Sequence, residues 1–326
     1  MAHRELTLEE RRQIEKMLIV KTPISVIAVR LGRHRSSIYR EIQRNRYEDT
    51  ELPNLNGYYG LLAQKTAAER RCRRRKLIRL QDLRAAIEDQ LRAGWSPEQI
   101  AGRLRHEGGS SYVCHETIYA HVYIQSEDLA RWLPRRHRKR EPRHARRPRS
   151  LVFPADRGIQ QRPEEVKQRE VFGDWEADLM IFRKEHGPAN VASMVERKTR
   201  FAVLFKNNDR RSKPIMNQII TLLSPLPSSA RRSITFDRGL EFVSWRDLEI
   251  GMGTVAWFCD PQAPWQKGSV ENLNGRVRRD LPRDTQLTSI SNRSMKAICD
   301  RLNATPRKCL GYRTPSEAFR EELRRL

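Results

Sequence analysis

The stretch W-E-A-D-L-M-I, running from Trp175 to Ile181, alternates between two sets of side chains. Trp175, Ala177, Leu179 and Ile181 leave one face of an extended strand, and Glu176, Asp178 and Met180 leave the other. Two more strand candidates follow at Val191–Val195 and Phe201–Phe205, with turn signals at His186-Gly187-Pro188 and Arg197-Lys198-Thr199. A helical pattern spans about Ser212–Leu223, and Ser233–Phe236 reads as a short strand. Three antiparallel strands, a helix and a further strand make an α/β order.

Upstream of this region, Pro134–Ser150 reads P-R-R-H-R-K-R-E-P-R-H-A-R-R-P-R-S. It holds three prolines and nine basic side chains against Glu141, with almost nothing apolar. Such a segment has no core to form and reads as an extended linker able to lie along phosphates. Before it the spacing is helical. Leu8, Ile14, Met17 and Leu18 form one apolar stripe, Ile24, Ile27, Ala28 and Leu31 a second, and Ile38 and Ile42 a third. A longer helical stretch covers about Leu61–Arg92. The expected organisation is residues 1–60, 61–133, the basic linker 134–150, and an α/β domain over 151–326.

Pro23–Asn45 has the marks of a helix-turn-helix. Pro23 suits a helix start, Ala28 allows close helix crossing, and Gly32 can turn at positive φ. The helix after the turn buries Ile38 and Ile42. Its other face offers Arg35, Ser36, Ser37, Tyr39, Arg40, Gln43 and Arg44 to phosphates and major-groove base edges. A second helix pair begins at Trp95-Ser96-Pro97-Glu98-Gln99, where Ser96 and Gln99 form a capping box, and continues after Gly108-Gly109 with His115–Tyr123. Residues 61–133 therefore hold either a second DNA-reading unit or a purely structural pair.

Composition agrees with a nucleic-acid partner. The 326 residues carry a net charge of +24, a field that captures polyanions. Residues 1–150 hold 33 Lys/Arg against 18 Asp/Glu, so the excess is denser there. No run approaches the ~20 apolar residues of a membrane span, so no membrane partner is expected. Met1–Glu5 leads into charged sequence rather than a signal peptide. The five cysteines show no C-x-x-C spacing, which points to free thiols in a reducing cytosol.

Three carboxylates stand in informative places. Asp178 lies in the first strand, Asp237 follows S-I-T-F, and Glu271 lies in P-W-Q-K-G-S-V-E-N-L-N-G at the start of a helix. Phosphodiester cleavage calls for hard cations on oxygen ligands, Mg²⁺ with Mn²⁺ as substitute. Two such ions about 4 Å apart serve an in-line displacement. Spacing alone leaves two competitors open: Glu176, on the same strand face as Asp178, and Glu241, near Asp237. On a helix, Asn274 and Arg278 share a face with Glu271. Asn274 suits a substrate or supporting contact, while Arg278 and Lys267 suit phosphates. Trp265 is expected to pack rather than to stack on a base.

In order, W-E-A-D-L, T-F-D-R-G-L-E-F, P-W-Q-K-G-S-V-E-N-L-N-G and P-R-K-C-L-G-Y-R-T-P resemble the signature blocks of insertion-sequence family thirty (IS thirty) transposases. More broadly, they resemble the retroviral-integrase-like superfamily. The resemblance covers nearly the whole chain. It implies an all-α helix-turn-helix N-terminal region and an α/β ribonuclease-H-like catalytic domain. It also implies cleavage and strand transfer at the terminal inverted repeats of a bacterial element. It assigns the catalytic and metal-binding triad to Asp178, Asp237 and Glu271, leaving Glu176 and Glu241 in supporting roles. Two positions depart from it: Asp174 stands where a histidine is frequent, and Val270 where an asparagine is frequent.

The expected protein is thus a DNA transposase in the cytoplasm, associated with the nucleoid. It would act on double-stranded element ends and target DNA, as at least a homodimer because two ends must meet. One alternative is a helix-turn-helix regulator with an inactive integrase-like domain, separable by metal-dependent nicking. Another is a nuclease that cuts without joining.

Overall fold

The computed structural model describes residues 5–73, 76–109, 111–125, 127–133, 153–261 and 263–326. The basic segment Pro134–Ser150 lies outside the described residues. The chain divides into two compact units, Met1–Ile87 and Glu88–Leu326.

The first unit holds α1 (Leu8–Ile19), α2 (Ile24–Arg30), α3 (Arg35–Asn45), α4 (Gly60–Arg73) and α5 (Lys76–Arg79). Helix α6 (Gln81–Arg92) begins in it and ends in the second. Within the described residues, the long helical stretch read from the sequence is interrupted at Leu80, between α5 and α6. Thr7 and Glu10 close a reciprocal capping box at the start of α1. Gly32 turns the chain between α2 and α3 at φ 59°. Ile14, Ile27 and Ile38, one from each of the first three helices, are fully buried together. Beneath α3, the Arg11 guanidinium donates to Glu41 at 2.7 Å with both side chains largely buried, which fixes α3 on α1.

In the second unit, α7 (Pro97–His106), α8 (His115–Gln125), α9 (Glu127–Ala130) and α10 (Glu164–Gln168) precede the sheet. The Ser96–Gln99 capping box forms as expected. Helix α7 lies on the C-terminal end of the chain. Gln99 donates to the Pro306 carbonyl at 2.8 Å, and Arg103 grips Glu317 with two hydrogen bonds of 2.7 and 2.8 Å. A Cβ on Gly102 would fall 2.1 Å from the Tyr312 ring, so only glycine permits this approach. The division of the chain thus comes before α7, not at the basic segment. Sequence spacing could not reveal it, because the contacts join residues some two hundred positions apart.

The sheet comprises β1 (Asp174–Ile181), β2 (Asn190–Glu196), β3 (Ala202–Asn207), β4 (Ser233–Phe236) and β5 (Val255–Phe258), in the order β3-β2-β1-β4-β5. The first three strands are antiparallel, and β4 and β5 run parallel to β1. This is the strand order and direction of a ribonuclease-H-like domain. Helices α11 (Ser212–Leu223) and α12 (Arg246–Met252) share a core with Trp175, Ala177 and Leu179. Helix α13 (Gly268–Val277) and helix α14 (Asn292–Ala304) share the other core with Met180 and Val191. The two faces of β1 follow the predicted alternation. Both are covered, so the strand is buried on both sides, apart from Asp178, which is partly exposed, and Ile181 at its end. Helix α15 (Pro315–Arg324) starts from a Thr314–Glu317 capping box. Among the described residues no helix is long and apolar enough to cross a membrane.

Candidate active site

The pairing of β1 with β4 sets Glu176 opposite Thr235. Continued by two residues, that register brings Asp237, just past the end of β4, beside Asp178 on the same face. The structure bears this out through a shared cation. The Lys267 ammonium lies 3.0 Å from Asp178 and 3.4 Å from Asp237, and also donates to the Ala177 carbonyl at 3.2 Å. Its side chain is only 5% exposed. Burial alone would depress the ammonium, but the two aspartates outweigh it and hold Lys267 above its ordinary range.

Each aspartate is also held by a neutral donor. Asn274 donates to Asp178 at 2.7 Å and accepts from the Ser193 hydroxyl at 2.6 Å. Ser193 is the residue paired with Asp178 across the β1–β2 ladder. Asp237 accepts from the Gly239 amide at 3.2 Å in its own turn. The loop leading to α13 is closed by Gln266, which exchanges two hydrogen bonds with Asp260 at 2.8 and 2.9 Å.

Glu176 is placed quite differently. It is 0% exposed and its partner Arg197 3%. One oxygen accepts from Arg197 at 2.9 Å; the other accepts from the backbone amides of Ser269 and Val270 at 2.8 and 3.0 Å. A carboxylate on the first amides of a helix satisfies orphan donors and the positive end of the helix dipole. Both oxygens of Glu176 are therefore engaged, one anchoring α13 to β1 and the other compensating Arg197.

Glu271 sits on α13 one turn beyond Lys267, with its side chain exposed. Among the described residues, no three His, Cys, Asp or Glu side chains are close enough to hold an ion together. Glu241 is the other acid nearby. Burial raises its carboxyl above the usual range, and Asp237 and Asp178 raise it further. The structure thus brings Asp178 and Asp237 together, keeps Glu241 within their field, and sets Glu271 apart on the helix above.

Several contact residues differ from expectation. Lys267 faces the aspartates rather than an incoming phosphate. Arg278 donates to the Ile181 carbonyl at 2.7 Å and lies 4.6 Å over the Phe182 ring, so its guanidinium closes the end of β1. Trp265 does not pack: it is 75% exposed on the short turn Pro264–Lys267. The sequence reading took Arg197 only as part of a turn signal; its buried pairing with Glu176 follows from the fold. On α3 the outward face is as expected, with Arg35, Tyr39, Arg40, Gln43 and Arg44 exposed. Ser37 is half-buried, and Ser36 is engaged by His34, which caps the helix, and by Arg40.

A family model described as a helix-turn-helix domain matches residues 2–45, the span of α1 to α3. The transposase InsI of insertion sequence element IS30C from Escherichia coli is 32% identical over 96% of this chain and 82% of its own length. The transposase of insertion sequence element IS4351 from Bacteroides fragilis is 31% identical over 98% of this chain and 96% of its own. That of IS1086 from Cupriavidus metallidurans is 31% identical with the same coverage. Among solved structures, the catalytic core domain of BIV integrase aligns with 47% of this chain and 97% of its own at 18% identity, with a TM-score of 0.38.

Proposed function

This chain belongs to the IS30 family of insertion-sequence transposases, and from that premise we propose that it recognises the terminal inverted repeats of its element through α3 and cuts and joins DNA at Asp178, Asp237 and Glu271. It is a DNA transposase. The observation that carries the site assignment is the convergence of Asp178 and Asp237 on one ammonium group. Two adjacent carboxylates repel, and a cation between them relieves the repulsion. Hard oxygen donors around a stand-in cation suit a hard divalent ion, Mg²⁺ with Mn²⁺ as substitute. Such ions supply Lewis acidity and lower the pKa of bound water.

The protein's own groups do the rest. Asn274, steadied by Ser193, fixes one oxygen of Asp178, and the Gly239 amide fixes Asp237. Glu176 anchors the helix that carries Glu271 above them. Trp265 stands free to stack on a base. In the first step, water displaces the 3′-oxygen of the scissile phosphodiester at the element end and leaves a 3′-hydroxyl. In the second, that hydroxyl attacks a target phosphate and displaces the target strand's 3′-oxygen; the attacking hydroxyl gives its proton to solvent and the displaced oxygen takes one up. Two ends must be joined in one event, so the acting form is at least a dimer.

The test is strand transfer by the full chain on a duplex carrying the element's own end, with and without Mg²⁺. Products covalently joined to target DNA are expected only with the ion. Cleavage without joining would make the protein a nuclease, and end binding without cleavage a regulator.

Lys267 gives a second measurement, independent of turnover. Lys267→Met leaves Asp178 and Asp237 uncompensated, so the variant should melt below the wild type in EDTA. It should recover more than the wild type does as Mg²⁺ is added, since at a hundred times Kd a ligand contributes about 2.7 kcal/mol. Equal Mg²⁺-dependent shifts in the two proteins would show that the ammonium and the ion do not compete.

A further inference from the structure

On the flank of α13 away from the aspartates, a cavity of about 170 Å³ opens between α13, the turn joining β2 to β3, and the segment that follows α14. Four arginines line it, Arg169, Arg200, Arg276 and Arg307, and no acid is among the lining residues. None of the four forms an ion pair with a carboxylate among the described residues. Arg200 donates to the Ser269 hydroxyl at 2.9 Å, and Arg276 to the Asn272 side chain at 3.1 Å. Arg307 is only 8% exposed. Its Nη2 donates to the Leu302 carbonyl at 2.9 Å, while its Nη1 is buried with no hydrogen-bond partner.

A guanidinium in that position is costly, because a buried charge needs both a counter-charge and hydrogen bonds. Burial, with Arg276 and Arg279 nearby, pushes Arg307 well below the usual guanidinium range. Arg169 and Arg276 are lowered for the same reason, burial first and then a neighbouring arginine. A vacant donor and uncompensated positive charge around one cavity have a common remedy: an oxyanion whose oxygens accept from several guanidinium groups at once.

We propose that this pocket is a phosphate-binding site, and that in the DNA complex it takes a backbone phosphodiester of the strand lying beside Glu271. The second half rests on the transposase reading; the first does not. Asn272 lines the pocket and directly follows Glu271, so a phosphate held here would fix the strand relative to the catalytic helix. Phosphate contacts set register without reading bases. The pocket would therefore position DNA for cleavage rather than select its sequence.

The test uses the full chain and two probes. Sodium phosphate at millimolar concentration should raise the melting temperature above that in sodium chloride of equal ionic strength. Arg307→Gln should abolish that rise, yet melt no lower than the wild type in chloride, since it removes an uncompensated charge and keeps an amide for the Leu302 carbonyl. With an element-end duplex, the same variant should flatten the slope of log affinity against log salt by about 0.9, one phosphate's worth. Arg276→Gln, on the half-buried face of α13, should read the same two quantities if Arg307→Gln does not fold. No phosphate-specific rise, or a rise that survives both substitutions, would overturn the site. A rise with an unchanged salt slope would mean that the pocket takes free phosphate, and would overturn the DNA assignment. If the wild type fails to prefer end DNA over random DNA, the transposase reading fails while the phosphate measurement still decides the pocket.

Discussion

Asp178→Asn, Asp237→Asn and Glu271→Gln should each yield a chain that folds and binds element ends but neither cuts nor joins them. Asp178 and Asp237 are partly open to solvent at the mouth of the sheet, either single variant leaves Lys267 one aspartate, and Glu271 is exposed on α13, so each variant should keep the fold. Replacing a carboxylate by its amide keeps the shape and removes the charge that a hard cation requires. Losing about 4 kcal/mol of transition-state stabilisation is a thousandfold or greater loss of rate. The measurement is single-turnover cleavage alongside end-binding affinity. Near-normal cleavage by Asp178→Asn would remove that residue from the site. Glu241 is the physical rival for the third place, because it lies in the field of both aspartates. Loss of cleavage in Glu241→Gln with activity retained in Glu271→Gln would transfer the role.

Glu176→Gln should fail in the opposite way, by destabilising the domain. Arg197 would keep its burial and lose its counter-charge, and the first amides of α13 would lose their anionic acceptor. Breaking a buried pair from one side costs about 3–5 kcal/mol, which lowers the melting temperature of a domain this size by roughly 10 °C. Activity would fall as well, so only thermal unfolding separates an anchoring residue from a metal ligand. An unchanged melting temperature together with lost cleavage would restore Glu176 as a candidate ligand. The contrast between Glu176 and Asp178 is instructive: they are two residues apart on one strand face, and the N-terminus of α13 covers the first and leaves the second beside the cleft.

Much of the architecture was legible from period and punctuation. The alternation at Trp175–Ile181, the helix at Ser212–Leu223 and the short strand at Ser233–Phe236 all occur where their spacing puts them. So do the Ser96–Gln99 capping box and the turn at Gly32. Strand β5, V-A-W-F, was not among the elements read from the sequence; its place in the sheet comes from pairing with β4. The docking of α7 on α15 was equally hidden, because it depends on Gly102 meeting Tyr312.

Local sequence by itself determined the elements, the exposed basic face of α3 and the presence of acids at the ends of strands, for those depend on neighbours within one or two turns. Only the tertiary structure decided what each charge does. Glu176 and Asp178 are indistinguishable by pattern, and Lys267, Arg278 and Arg307 are all basic residues in a basic chain. Their roles follow from which partner burial leaves within about 3 Å: two aspartates for Lys267, backbone carbonyls and a ring for Arg278, and for one nitrogen of Arg307 none at all. A charge in water is screened by solvent wherever the chain places it; a charge removed from water must be met by a particular group, and that group is chosen by the fold.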